Sequence, residues 1–395
     1  MRSVVLLVLL SFTSALSAKP VETLVTSQPI NESRIAWPVT APLPPPDGLR
    51  PCCAFGYNLK AQVWGIPVPF YQLGNLVDAD RLGSHHYNDS AFNAVSNLLG
   101  LGSEQLGLIY TRRGGFIDIA HVRDTADNTL FLFSQLLPRL GQQWEIDLSP
   151  ELATRRIRLN AFTPPQDAAQ RYTLAAYLAG ELAFQMAAWH EVAQWYGYRS
   201  VAGFSEEISA FSPEDLYSNL LGSRLAIDAI LQGQAVSLTA YNHAMETLLP
   251  QALHQLGAVS IRETQRQLDG IDGDWWDSNR RVPEKFLVLK RDYTTGSNRL
   301  PDRPPFESTA PQRLTLPSEV QGFNLAKLGE LQLWPTDAMH NLPVPIHYYR
   351  PQDFRRLALH ARVLLGGGTC ILRSEQRGNT SRHQCEIPVC NWDCP

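Results

Sequence analysis

The segment Trp189-His190-Glu191-Val192-Ala193-Gln194-Trp195 sets an imidazole beside a carboxylate in a run that reads as one helix. At about 100° per residue, His190 and Gln194 share a face and Glu191 lies next to them. This is the H-E-x-x-H zinc pattern with its second histidine replaced by Gln194. In the intact pattern two histidines hold the ion and the glutamate acts as base. Glutamine is a poor zinc ligand, so an ion here needs donors from other segments, and Gln194 would position water or substrate.

A second run supplies them. Phe116, Ile119, Ala126 and Leu130 fall on one face of it, while Asp118, His121, Thr125 and Asn128 fall on the other, at spacings of 3, 4 and 3. A carboxylate three residues before a histidine can ligate with it or orient it. Asp124 is near in sequence, and Glu207 follows His190 by 17 residues, roughly where one zinc-peptidase group carries its glutamate ligand. The expectation is a metal-dependent hydrolase. His121 and His190 would ligate a divalent ion, zinc being the best suited, with Asp118, Asp124 or Glu207 adding an oxygen and Glu191 activating water. A different class competes with it: a non-catalytic binding or interaction protein in which the same residues form a satisfied buried hydrogen-bond network.

Other motifs carry less. His85 and His86 are consecutive and diverge on any regular element. Asp269, Asp272, Asp274 and Asp277 miss the register of a calcium loop. Gly366-Gly367-Gly368 lacks the Lys-Ser/Thr of a phosphate loop, and no G-x-S-x-G elbow occurs, so no organic cofactor is expected.

The elements that must position these residues are mostly helices. Leu174–Tyr196 contains no Lys, Arg or Asp and is apolar on every side, which marks a helix buried in a large core. Its Glu181, Gln185, His190, Glu191 and Gln194 argue against a membrane span. Helices are predicted over Asp89–Leu98, Gly115–Leu140, Gln166–Tyr198, Pro213–Gln232 and Val236–Leu256. Ser212-Pro213-Glu214-Asp215 reads as a helix start, with a capping hydroxyl, proline in the first turn and acids at the positive dipole end. After Leu268 the composition shifts, with strands expected at Phe286–Tyr293 and Gln332–Trp334 between prolines. The fold class expected is mainly α within α+β: a helical core domain over 52–268 and a smaller, mixed, disulfide-stapled part over 269–395.

The chain has 395 residues, 44% hydrophobic and 18% charged, with a formal charge of −4. The composition permits a large core, and the absence of a basic block argues against nucleic acid as a partner. Residues 1–18 read as a secretory signal, with cleavage after Ala15, Ser17 or Ala18, and residues 19–51 as a Pro-rich extended leader outside the packed core. The mature protein is then expected to be periplasmic or secreted, without a membrane span, acting on an envelope substrate or protein partner. Asn-x-Ser/Thr triplets stand at Asn31, Asn88 and Asn379. The cysteines Cys52, Cys53, Cys370, Cys385, Cys390 and Cys394 suit disulfides, for which six allow 15 pairings. Adjacent Cys52 and Cys53 pair with each other only under strain, so partners in the tail fit better. A zinc knot of His383, Cys385, Cys390 and Cys394 is the rival, though no C-x2-C spacing supports it.

Four stretches carry a family likeness: Arg50-Pro-Cys-Cys-Ala-Phe-Gly56, Gly65-Ile-Pro-Val-Pro69, the run Ile109–Asp124 (IYTRRGGFIDIAHVRD), and Phe211-Ser-Pro-Glu-Asp-Leu-Tyr-Ser-Asn219. Together the chain resembles, over roughly residues 50 to 390, an uncharacterised group of exported bacterial proteins, domain of unknown function 4056. The resemblance implies export into the periplasm of a Gram-negative cell. It implies no activity, and no functional residue is carried over.

Overall fold

A computed structural model describes residues 33–50, 54–88, 104–199, 205–343 and 345–365, and the strands 372–377 and 380–385. Residues 1–18 and the expected helix Asp89–Leu98 lie outside the described residues. So do Cys52, Cys53, Cys370, Cys390, Cys394 and the side chains of His383 and Cys385. The protein is mixed α+β. Seven helices occur among the described residues: α1 Ile119–Leu136, α2 Ala168–Trp195, α3 Asp215–Leu231, α4 Leu238–Gln255, α5 Ile261–Asp269, α6 Leu325–Leu328 and α7 Pro351–Leu365.

Helix α2 is the axis of the fold, and its burial follows from its sequence. Asp167 caps it by accepting from the Gln170 amide at 2.9 Å, and the consecutive residues Leu174, Ala175, Ala176 and Tyr177, which point to successive sides of the helix, are all buried. Helices α1 and α3 pack against it and against each other. Glycine permits the closeness: a Cβ at Gly222 of α3 would stand 2.1 Å from the carbonyl oxygen of Val122 in α1. With the helices this close, the first turn of α3 lies beside the first turn of α1, and the acids of one helix start meet the imidazole of the other.

Helix α1 begins later than its sequence suggests. Gly115–Asp118 is a strand, paired antiparallel to Leu108–Thr111, with every residue of both strands buried. A hairpin buried on both faces shows no alternation, so its apolar run merges with the helical pattern of the next residues. Phe286–Tyr293 also differs from expectation. Lys285–Leu287 forms a 3-10 turn and the stretch holds no strand; Leu287 and Val288 are fixed in a second apolar cluster with Phe55, Tyr110, Phe116 and Trp275.

The expected strand near 332 exists as Gly329–Trp334. It is one edge of an antiparallel sheet whose centre is Ala153–Leu159 and whose other edge is Trp144–Glu151. Leu331, Leu333, Phe354 and Leu357 share one core with α1, α2 and α3. Residue 268 is therefore no packing boundary. The described leader also differs from expectation: Leu43 is 7% exposed and belongs to the main core. Its amide donates to Ser134 Oγ at 3.0 Å, and Gln135 Nε2 donates to its carbonyl at 2.7 Å. No helix among the described residues is long and apolar enough to cross a membrane.

Candidate metal centre

The site forms where the N-terminal ends of α1 and α3 meet the C-terminal half of α2. Asp118 ends a strand and caps α1, accepting from the Ala120 amide at 2.7 Å. Its own amide donates to Ser218 Oγ of α3 at 2.9 Å, a bond that ties the two helix starts together. One turn into α1, His121 places Nε2 3.3 Å from Oδ1 of Asp215, the first residue of α3. Neither oxygen of Asp215 has a hydrogen-bond partner among the described residues.

One ligand atom from each of Asp118, His121 and Asp215 lies within 4.8 Å of the others. That spread is slightly wider than the span of opposite ligands held at ~2.0–2.2 Å from one ion. Asn219 stands behind the imidazole, its Nδ2 3.3 Å from His121 Nδ1, and Thr125 Oγ1 donates to its Oδ1 at 2.6 Å. With the amide turned this way Nδ1 accepts, so the ring proton sits on Nε2, toward Asp215.

The electrostatics are lopsided. Burial pushes Glu191 up to about 7 and Glu214 up to about 8, the latter helped by Asp118 and Glu191. Burial and then the neighbouring Glu191, Glu214 and Asp118 carry Asp215 well above the ordinary carboxylate range. Burial and the charge of His190 push His121 down to about 3, so its ring is neutral and fit to ligate. Arg291 and Arg299 feel these acids but are committed elsewhere. Arg291 bonds the carbonyls of Ala210, Ile208 and Lys285, and Arg299 pairs with Asp292. The side chains of His121 and His190 keep 10% and 9% of their surface exposed.

The residues expected from sequence divide. Asp118 and His121 are brought together. Glu191 is fully buried beside them, with Oε2 accepting from the Phe211 amide at 2.6 Å and Oε1 unpartnered among the described residues. His190 is near enough to act on His121 electrically, but its close partner is Glu151, Nδ1 to Oε2 at 3.4 Å. Burial alone would lower His190, and the charge of Glu151 reverses this and raises it. Gln194 Nε2 lies 3.4 Å from Glu206 Oε2. Asp124 and Glu207 do not join the group. Asp124 accepts from Arg50 on another face of α1, because the described leader delivers that guanidinium there. Glu207 pairs with Lys285 at 3.0 Å, 31% exposed.

Asp215, Glu214 and Asn219 were missed. Asp215 and Glu214 hid inside a good capping pattern. Ser212 instead donates to Glu214 Oε2 at 2.7 Å, and Glu214 occupies the cap position without a capping bond. The signal available was the i, i+4 pair Asp215 and Asn219 opening a helix rich in Leu, Ile and Ala.

The family model described as a protein of unknown function (DUF4056) matches residues 40–305, a span that contains every residue of this group. No curated protein and no solved structure matches the chain.

Proposed function

We propose, for a chain that belongs to the DUF4056 family of proteins of unknown function, that Asp118, His121 and Asp215 hold a divalent metal ion, zinc by donor chemistry, in an exported hydrolase of the cell envelope. The observation that carries the reading is Asp215: a fully buried carboxylate whose oxygens, apart from the neutral imidazole 3.3 Å away, have no hydrogen-bond partner among the described residues. Buried charge is stable only when compensated, and a divalent ion compensates several acids at once. Such an ion lowers the pKa of bound water and polarises the scissile group. Glu191, held near neutral by burial, takes the water's proton through its unpartnered Oε1 and returns it to the leaving group. Export rests on the character of residues 1–18.

A second reading has its own observation. The Asn219 amide leaves the His121 proton on Nε2, so ligation through Nε2 requires that amide to turn and accept from Nδ1. In a metal-free network the amide stays, and the raised carboxyls are simply protonated. Metal analysis of protein purified without chelator separates the two. The metal reading expects close to one equivalent of zinc, lost in a folded His121→Ala variant. Less than about a tenth of an equivalent of any transition metal, with no uptake on titration, removes it.

A further inference from the structure

Away from the carboxylate group, a cleft of about 930 Å³ opens between α2, α7 and the irregular strap 291–298. Its volume suits a small ligand or a short oligomer. Its wall is unusual in what it leaves unmade. Gln185 is 9% exposed and its Oε1 has no partner, Arg291 is equally buried with Nε unpartnered, and the buried hydroxyl of Tyr293 has none either. All three residues line this one cleft. Each of these three atoms is itself shielded from water, so a ligand reaches them only once the side chains turn outward; an acceptor, a donor and a group that does both then complement hydroxyls.

The strap continues the theme with Thr294, Thr295 and Ser297. Phe184 and Phe354 give the cleft apolar faces on which a ring can lie. The rim is cationic: Arg355 and Arg362 stand exposed on the α7 side, seven residues apart, and neither forms an ion pair among the described residues. The acids nearby do not cancel them. Asp292 is engaged by Arg299, and burial raises the carboxyl of Glu181, whose Oε1 accepts from Gln185 Nε2 at 3.3 Å.

We propose that this cleft binds an anionic carbohydrate, whose hydroxyls meet Gln185, Tyr293 and Arg291 and whose carboxylate or phosphate meets Arg355 and Arg362. The binding uses none of the atoms assigned to a metal ion and is independent of that reading. Guanidinium groups suit either anion, since both present paired oxygens. Gly296 supplies a clean obstruction: a Cβ there meets nothing within 4 Å, so a side chain enters open space without disturbing the wall.

The test is calorimetric titration of the full chain, in EDTA, with trigalacturonate as the carboxylate source, trehalose 6-phosphate as the phosphate source and maltotriose as the uncharged control. At least one anionic sugar should bind at least tenfold more tightly than maltotriose. Which one does so identifies the anion. Arg355→Ala with Arg362→Ala should erase that tenfold preference, about 1.4 kcal/mol. Gly296→Leu should abolish binding, and Gln185→Leu should weaken it while the unfolding midpoint holds. The proposal falls if neither anionic sugar binds up to ~10 mM, if maltotriose binds as well as they do, or if binding survives Gly296→Leu unchanged.

Discussion

Two groups of buried charge lie on opposite faces of α1, and they are built on different terms. On one face Arg50 pairs with Glu104 at 2.6 Å, Asp124 at 2.8 Å and Asp127 at 3.0 Å. Arg123 adds a second guanidinium on Glu104 at 3.1 Å, while His85 and Tyr241 both reach Asp127 Oδ1. Acids and bases are nearly matched, and the bonds are short. On the other face Asp118, Glu191, Glu214 and Asp215 gather around one neutral imidazole, and the nearest guanidiniums bond carbonyls or another acid. Both groups are equally buried, so burial does not distinguish structure from function here. Compensation does: the first group carries its own guanidiniums, and the second, on the reading proposed above, is incomplete until a metal ion joins it.

The largest effect should come from breaking the complete group. Arg50→Met leaves three buried carboxylates facing each other, and removing one partner of a buried ion pair costs ~3–5 kcal/mol. Urea unfolding should show that loss and a leader loosened at its end, since Arg50 is one of the points at which residues 33–50 are pinned to α1, Leu43 being another. A cost under ~1 kcal/mol would mean the network contributes no net stability.

The incomplete group should respond to what it lacks. Zinc at a hundredfold excess over its dissociation constant should stabilise the protein by ~2.7 kcal/mol through mass action. A differential scanning measurement reads this directly. Equal stabilisation of wild type and His121→Ala would place the ion somewhere else.

Acid sharpens the same contrast. Burial alone would raise Asp127, but the charges of Arg50 and His85 hold it down to about 2. Its unfolded value is ~3.9, so between those two values the unfolded chain binds more protons and stability rises with pH. The contribution is complete above ~4 and is lost as pH falls through about 2, amounting to ~2 kcal/mol. Asp127→Asn should flatten this acid limb in a pH series of unfolding midpoints. Asp215→Asn should leave it intact.

The sequence made the two groups unequally legible. A helix apolar on every side announced that His190 and Glu191 are buried, and i, i+3 spacing put Asp118 with His121, because both facts are local to one helix. Asp124 was grouped with them because it is near in sequence. Its true partner, Arg50, lies 74 residues upstream in a stretch whose prolines suggest an extended arm. Asp215 failed for the opposite reason: its local context was over-explained. Acids in a helix's first turn are expected from the dipole alone, and only contacts across about a hundred residues, Asp118 to Ser218 and His121 to Asp215, show that this helix start meets another one. Pairings across long sequence separations carry no periodicity, so the sites they create have to be seen in three dimensions.

The smallest change tests the comparison most finely. Asp215 sits in the incomplete group with its carboxyl raised well above the ordinary range by burial and by Glu191, Glu214 and Asp118. Without metal that burial and repulsion draw its carboxyl toward the protonated form, to which Asn is close in shape and polarity. Asp215→Asn in EDTA should therefore shift stability by no more than ~1 kcal/mol, toward stabilisation, since one repelling acid is gone. The same variant should lose the zinc-induced rise completely, because an amide is a far weaker ligand than a carboxylate. The sign in EDTA is the decisive reading. If Asp215→Asn without metal destabilises as severely as Arg50→Met, then Asp215 is an ionised, compensated group like Asp127, and no cation is missing from its face of α1.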